Sequence, residues 1–195
     1  MMQAPLDENE RVDRIAAHIK EIISLLGEDP GREGLLKTPR RAAKALVHAC
    51  SGYSANPEEL LGNALFQAES SGMVIVGDIE FYSMCEHHIL PFFGKVSVGY
   101  MPGKKIVGLS KIARMVDAFS HRLQLQERFT SQLAECLRTA IGAKGVIVAC
   151  CGEHLCMKMR GVEKQHASTT TVAYNGLFTN AHELRREFFE AIGRR

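Results

Sequence analysis

Two short clusters of cysteine and histidine constrain the fold of this chain more than any other feature. The first is the run CEHH at 85–88, and the second, about seventy residues later, contains His154 and Cys156. A cysteine and a histidine three residues apart can reach one ion if their segment turns tightly. The second cluster follows a strand-like pattern, and residues two apart on a strand project from the same face. The fold must therefore bring two distant segments together if these side chains are to share one metal ion.

The three side chains Cys85, His88 and Cys156 would supply nitrogen and sulfur ligands. Zinc favours this set, and three protein ligands leave a fourth position for water, as in catalytic sites. The alternatives are a chain without a metal and a closed structural site in which Cys151 is the fourth ligand. Structural fingers usually carry two compact Cys/His pairs, and the second pair is missing here. Strict alternation also turns Cys151 away from Cys156, but the adjacent pair Cys150-Cys151 keeps the four-ligand alternative open.

Two further histidines lie beside the proposed ligands. His87 precedes His88, and His154 lies two residues before Cys156. Zinc lowers the pKa of a bound water to near 7, and imidazole is then a suitable proton carrier. We therefore expect functional roles for both, although either one could be a hydrogen-bonded core histidine. The pattern leaves Glu86 undecided between a functional and a solvated carboxylate.

The hydrophobic pattern divides the chain near residue 72. Before that point, apolar residues at helical spacing predict a first helix that Gly27 ends, and Thr38-Pro39 predicts an N-cap with proline at the first helical position. After it, the pattern predicts strands at 73–83, 145–159 and 166–176, and a pair of strands within 95–110 that a hairpin turn at 101–104 joins. Ser110 is predicted to cap a helix ending near 122, and a second helix runs from about 126 to 141. We expect an α+β protein with an N-terminal helical region, 1–72, and a catalytic domain, 73–195.

Composition excludes several classes of protein. A net charge of +2 does not indicate a nucleic-acid partner. No apolar run approaches the roughly 18 residues of a membrane span, and the acidic N-terminus does not have the pattern of a secretory signal. Six cysteines in such a chain are typical of free thiols and metal ligands rather than of a disulfide framework. We therefore expect a soluble cytoplasmic protein.

Five motifs in register resemble one known family. These are KTPxRAAK at 37–44, CEHH at 85–88, GLSKIxR at 108–114, SxRxQxQER at 120–128 and HxCMxxRG at 154–161. Together they resemble GTP cyclohydrolase I, over about four-fifths of the chain. Each motif by itself is weak, and their ordered combination is specific. One departure is Leu123, which stands where many family members have proline.

The resemblance implies a fold, an assembly and a reaction. The family has a tunnelling fold, an antiparallel four-stranded sheet backed by helices, and its subunits form a decamer of two stacked pentameric rings with active sites at subunit interfaces. The reaction converts GTP and water into formate and 7,8-dihydroneopterin triphosphate with the help of Zn²⁺. The resemblance therefore implies a GTP substrate, a zinc cofactor and a homo-oligomer, and neither a nucleic-acid nor a membrane partner.

The motifs also imply roles for individual residues. The implied zinc ligands are Cys85, His88 and Cys156. The implied catalytic residues are His87, His154 and Ser110. The implied contacts to GTP are Gln126 and Glu127 at the guanine, and Lys111, Arg114, Arg160, Arg41 and Lys44 at the triphosphate. Without the resemblance, a solvated helix face would be the simpler interpretation of Lys111 and Arg114.

Two other functions remain as alternatives. One is a nitrile reductase-like enzyme of the same fold, which uses a cysteine nucleophile and a nicotinamide cofactor and does not need the CEHH zinc set. The other is a zinc-stabilised oligomeric binding module without catalysis. Chelation would unfold such a module rather than merely inactivate it.

Overall fold

The structure is a computed structural model that describes residues 7–62 and 64–193, and the chain divides into two compact units at Ser51 and Gly52. The first unit contains helices α1 (Glu8–Leu25) and α2 (Thr38–Ala49), which pack against each other. Asp7 caps α1 by accepting a hydrogen bond from the backbone N–H of Glu10, and Gly27 follows the helix with φ 88°. Both helices were predicted. The predicted cap of α2 is wrong, because Thr38 already lies in the helix and its hydroxyl donates to the Gly34 carbonyl.

The second unit contains the remaining helices and all the strands. In chain order they are a 3-10 helix (Ser51–Ser54), α3 (Pro57–Gly62), β1 (Leu65–Gln67), β2 (Val74–Cys85), β3 (Pro91–Met101), β4 (Lys105–Val107), α4 (Leu109–Ser120), β5 (Leu123–Gln124), α5 (Gln126–Ile141), β6 (Gly145–His154), α6 (Leu155–Lys158), β7 (Thr169–Gly176), a 3-10 helix (Leu177–Thr179) and α7 (His182–Gly193).

Four long antiparallel strands form the main sheet. Its order is β5-β2-β3-β6-β7, and the two-residue strand β5 adds a parallel pairing to the end of β2. The predicted α+β class with an antiparallel sheet is confirmed. The predicted hairpin at 101–104 is wrong, since β4 pairs with β1 in a separate two-stranded sheet. The reason is that β2 and β6 already occupy both edges of β3.

Each face of the sheet is covered by helix. Helices α4 and α5 cover one face, where Phe81 and Phe92 of the sheet meet Phe129 in one buried cluster. On the opposite face Phe188 of α7 packs against Ile147 of β6. Fully burying an aromatic side chain contributes on the order of 1.5–3 kcal/mol, so these two clusters hold the strands in place.

Two predicted boundaries near the candidate site differ from the structure. Gly108, not Ser110, precedes α4, and Ser110 is the second residue of that helix. Strand β6 ends at His154, so Cys156 lies on the one-turn helix α6 rather than on a strand. The alternation argument therefore does not apply to Cys156, whose position depends on the turn into α6.

Candidate metal centre

A tight turn between β2 and β3 carries the first cluster. The backbone N–H of Cys85 donates to the Leu90 carbonyl at 2.9 Å, and the Cys85 carbonyl accepts from the N–H groups of His88 at 3.3 Å and Ile89 at 2.8 Å. Ile89 has φ 53°, a left-handed conformation that is costly for a β-branched residue, so the surrounding bonds impose it. The turn folds the His88 imidazole back toward Cys85, so that His88 Nδ1 lies 3.7 Å from Cys85 Sγ.

A polar network anchors this turn to the start of α5. The backbone N–H of Glu86 donates to the Gln124 carbonyl at 3.1 Å, which continues the β2–β5 pairing. The Glu86 carboxylate forms an ion pair with Arg128, and Arg128 Nε also donates to Gln124 Oε1 at 3.0 Å. The Gln124 amide donates in turn to the Phe119 carbonyl and to Gln132. Glu86, whose role the sequence left undecided, thus ties the turn to the helix.

Strand pairing brings the second cluster to the same place. Phe92 at the start of β3 pairs with His154 at the end of β6, and Cys156 follows in α6. The ligand atoms of Cys85, His88 and Cys156 all lie within 4.8 Å of one another. Tetrahedral zinc with bonds of 2.0–2.3 Å places its ligand atoms roughly 3.5–3.8 Å apart. Small side-chain movements would therefore suffice, and the two thiols and one imidazole fit a borderline-soft metal ion.

The protonation of the Cys156 thiol is influenced by its surroundings. Burial, followed by the neighbouring Cys85 thiol, raises the pKa of Cys156, and Arg160 partly opposes this. A metal ion must displace these protons before the sulfur atoms can bind. Metal binding at this cluster will therefore release protons and weaken as the pH falls.

In the part of the chain that the structure describes, the adjacent pair Cys150-Cys151 is not part of the ligand cluster. Cys150 is fully buried under α5, where burial raises the pKa of its thiol to about 12. Cys151 is exposed on the other face of β6. The described residues therefore bring together three ligands and not the four of a closed site.

His154 is held from two sides. Its ring stacks on Phe92 with centroids 4.6 Å apart and planes 4° from parallel, and its Nε2 lies 2.9 Å from Gln126 Oε1. Burial lowers the pKa of His154, and the Glu127 carboxylate partly offsets this. His87 is exposed, with its ring edge-on to His88 at 6.1 Å. The stack on Phe92 was not predicted, because Phe92 lies in β3 but outside the strands that the sequence pattern predicted.

The other predicted site residues lie on nearby or separate elements. Ser110, Lys111 and Arg114 lie in the first two turns of α4, and none of the hydrogen bonds or ion pairs of the described residues joins them to the cysteine cluster. Arg160 approaches it, with Nη1 3.3 Å from His88 Nε2.

The remaining four predicted site residues differ in exposure. Glu127 is exposed in the first turn of α5, whereas the neighbouring Gln126 side chain is only 1% exposed. Arg41 and Lys44 are exposed on α2 of the first unit.

The fold and this cluster define an α+β protein with a candidate Cys–His–Cys metal centre flanked by a half-buried histidine, His154. Comparison with known proteins makes the assignment specific. The family model described as GTP cyclohydrolase I matches residues 15–193, which is most of the chain. The chain belongs to the GTP cyclohydrolase I family.

Curated relatives support the same assignment. The chain is 51% identical over 190 residues to a protein of Porphyromonas gingivalis named GTP cyclohydrolase 1, covering 97% of this chain and 98% of that protein. It is 53% identical over 181 residues to the protein of the same name from Bacteroides thetaiotaomicron, covering 93% and 92% of the two chains.

One solved structure is similar to part of this chain. The crystal structure of the archaeosine synthase QueF-Like in the apo form matches with TM-score 0.45 and 22% identity, over 55% of this chain and 97% of that one. Within the described ranges, no helix combines the length and apolar character that crossing a bilayer requires.

Proposed function

We propose that this protein is a GTP cyclohydrolase I that converts GTP and water into formate and 7,8-dihydroneopterin triphosphate, an early step of pterin and folate synthesis. The observation that carries the proposal is the Cys85–His88–Cys156 cluster, next to the half-buried His154, in a chain of this family. The three-ligand set matches the catalytic type of zinc site, which keeps one position open. We propose zinc as the metal, with Cys85, His88 and Cys156 as its ligands. When bound there, zinc would lower the pKa of water enough for it to act as a nucleophile toward carbon at neutral pH.

The chain's own histidines would move the protons of this reaction. The reaction adds water at C8 of the purine, opens the imidazole ring and releases C8 as formate. His154 would hold the proton that N7 takes up while negative charge develops there. Its lowered pKa makes the protonated ring a stronger acid, and Glu127 restores part of the protonated population. His87 and Ser110 would assist the later rearrangement of the ribose.

Charged residues would bind the two ends of GTP. Glu127 is exposed at the start of α5, where its carboxylate can accept hydrogen bonds from the N–H groups of guanine. The triphosphate carries several negative charges, and guanidinium and ammonium groups bind such oxygens. We propose this role for Lys111, Arg114 and Arg160, together with Arg41 and Lys44, and a guanine contact for the Gln126-Glu127 segment.

We propose that the protein acts in the cytoplasm as a decamer with active sites at subunit interfaces. One supporting feature is strand β7, which pairs with β6 on one side and with no other strand in the described ranges. Val172 and Tyr174 are exposed on this edge, and an exposed apolar edge favours pairing with another chain. Light scattering tests the size, since ten chains of 21.6 kDa have a mass of about 216 kDa.

The deciding experiment incubates the purified protein with GTP and measures formate and, after oxidation, a fluorescent pterin. His154→Gln should keep the metal and lose formate release, whereas Cys156→Ala should lose both. Absence of formate from the metal-loaded protein, or full activity of a metal-free Cys156→Ala variant, would refute the proposal. Consumption of NADPH during turnover would instead indicate a reductase.

A further inference from the structure

We infer that Gln126 is a positioning residue for His154. The side-chain amide of Gln126 fixes the hydrogen on His154 Nε2 and leaves His154 Nδ1 as the ring nitrogen that exchanges protons with the substrate. This inference deepens the proposed function, and only its kinetic consequences rest on that function. It assigns the Gln126 side chain to the histidine rather than to the purine, so that any guanine contact of this segment would come from Glu127 or from the backbone.

The orientation of the Gln126 amide follows from its neighbours. Its Nε2 lies 3.2 Å from the Cys150 carbonyl oxygen, 2.9 Å from the Thr169 carbonyl oxygen and 3.1 Å from Thr171 Oγ1. Carbonyl oxygens only accept hydrogen bonds. A flipped amide would place Oε1 against both carbonyls with no hydrogen between them, in a site where the side chain is almost fully buried. The amide nitrogen must therefore face the carbonyls.

The threonine hydroxyls are consistent with this orientation. Thr130 Oγ1 donates its one hydrogen to the backbone carbonyl oxygen of Gln126, at 2.7 Å. In the 2.6 Å contact between Thr130 and Thr171, the hydrogen must then come from Thr171. The lone pairs of Thr171 Oγ1 remain to accept from the Gln126 amide. All three neighbours of Nε2 can thus act as acceptors, which agrees with the amide orientation that the two carbonyls require.

The tautomer of His154 follows from the amide orientation. Gln126 Oε1 can only accept, so the 2.9 Å contact requires a hydrogen on His154 Nε2. The Phe92 ring, 4.6 Å away and nearly parallel, keeps the imidazole in the plane that this bond needs. No described residue forms a hydrogen bond to Nδ1. The nitrogen available to a substrate is therefore Nδ1.

Gly152 provides the space for the amide. A Cβ atom at position 152 would lie 2.6 Å from Gln126 Oε1, closer than such atoms approach. Gly152 is buried in β6, where a glycine costs strand stability. A glycine here is explained by the need of the amide to reach His154. The substitution Gly152→Ala should therefore displace the amide without removing it.

The kinetic test uses Gln126→Met, which keeps the length of the side chain and removes its hydrogen bonds. We expect kcat for formate release to fall about 10–100-fold, with KM for GTP within about twofold and metal content unchanged. Gly152→Ala should act in the same direction. Gln67→Met, the same substitution at an exposed glutamine of β1, is the matched control and should leave kcat near the wild-type value.

A double-mutant cycle separates positioning from direct contact or general structural damage. In the His154→Gln background, Gln126→Met should cause no further fall in the residual rate of formate release, because the amide acts only through the histidine. A rise in KM for Gln126→Met, or losses that multiply in the double variant, would overturn the inference.

A spectroscopic test does not depend on turnover. Solid-state NMR of the metal-loaded protein with ¹⁵N-labelled histidine, at pH 8, reports the protonation of each ring nitrogen, and the spectrum of His154→Gln identifies the His154 signals. We expect a hydrogen on Nε2, and loss of this preference in Gln126→Met. A bare Nε2 in the wild-type protein would overturn the inference even if the protein releases formate. Conversely, a protonated Nε2 in a protein that does not hydrolyse GTP would refute only the proposed function.

Discussion

Replacing Cys156 by alanine tests the metal centre, because Cys151 offers a matched control five residues away. Cys151 lies in β6 and Cys156 in α6, which follows directly, but only Cys156 has its Sγ within 4.8 Å of the other two ligand atoms. Structural zinc sites with four ligands bind with about 10–16 kcal/mol, which is about 2.5–4 kcal/mol for each ligand. At 1.4 kcal/mol for each factor of ten, loss of one ligand should weaken zinc binding about 100- to 1000-fold.

Competition with a chelator of known affinity measures this change, and elemental analysis gives the zinc content per subunit. We expect Cys156→Ala to lose its zinc at chelator concentrations that leave the wild-type protein loaded. Cys151→Ala should retain zinc, because that thiol is exposed on the opposite face of β6. Equal losses in the two variants would show that Cys151 is a ligand and would refute the three-ligand site. Unchanged affinity of Cys156→Ala would refute the cluster itself.

Three further predictions concern the surroundings of this centre. Arg128→Met removes the ion pair with Glu86. Because both side chains are partly exposed, we expect the unfolding free energy, measured by urea denaturation, to fall by only about 1 kcal/mol. Formate release should also become slower. Burial raises the pKa of Cys150 to about 12, above the ordinary 9.0. The contribution of the buried neutral thiol to protein stability is therefore present below pH 9 and is lost between pH 9 and 12. Mass spectrometry after iodoacetamide treatment at pH 8.5 should find Cys150 unmodified in the folded protein and modified in urea. Leu123→Pro removes the N–H that donates to the Tyr53 hydroxyl at 3.1 Å, and thermal unfolding should show a destabilisation of about 1 kcal/mol, whereas Leu123→Ala should keep that bond.

Local patterns predicted the elements whose signals are periodic. Helix α5 begins at Gln126 and ends at Ile141, as expected from its apolar spacing, and Gly142 ends it in a left-handed conformation with φ 63°. The four long strands were also predicted in approximate position. Helix caps were less predictable, because Thr38 and Ser110 have the residue type of a cap without its position. The choice between adjacent capping positions depends on how the preceding segment enters the helix.

Long-range pairing was not predictable from such patterns. The partner of β4 is β1, and no local signal distinguishes this pairing from a hairpin with β3. The ion pair between Glu86 and Arg128 links residues that are 42 positions apart. The near-complete burial of Gln126 likewise depends on three separate elements, since its amide bonds to β6 and β7 while its backbone begins α5. Each of these features requires the positions of atoms distant in sequence.

The sequence by itself determined the residue types of the metal centre. Cysteine and histidine at 85, 88 and 156 are side chains of the types that bind zinc in proteins, and the surrounding motifs indicated the family. Only the tertiary structure decided that three of these atoms converge, that Cys151 faces away from them, and that Gln126 bonds to His154. The physical reason is that ligand chemistry belongs to single side chains, whereas convergence depends on the pairing of β3 with β6 and on the turn into α6.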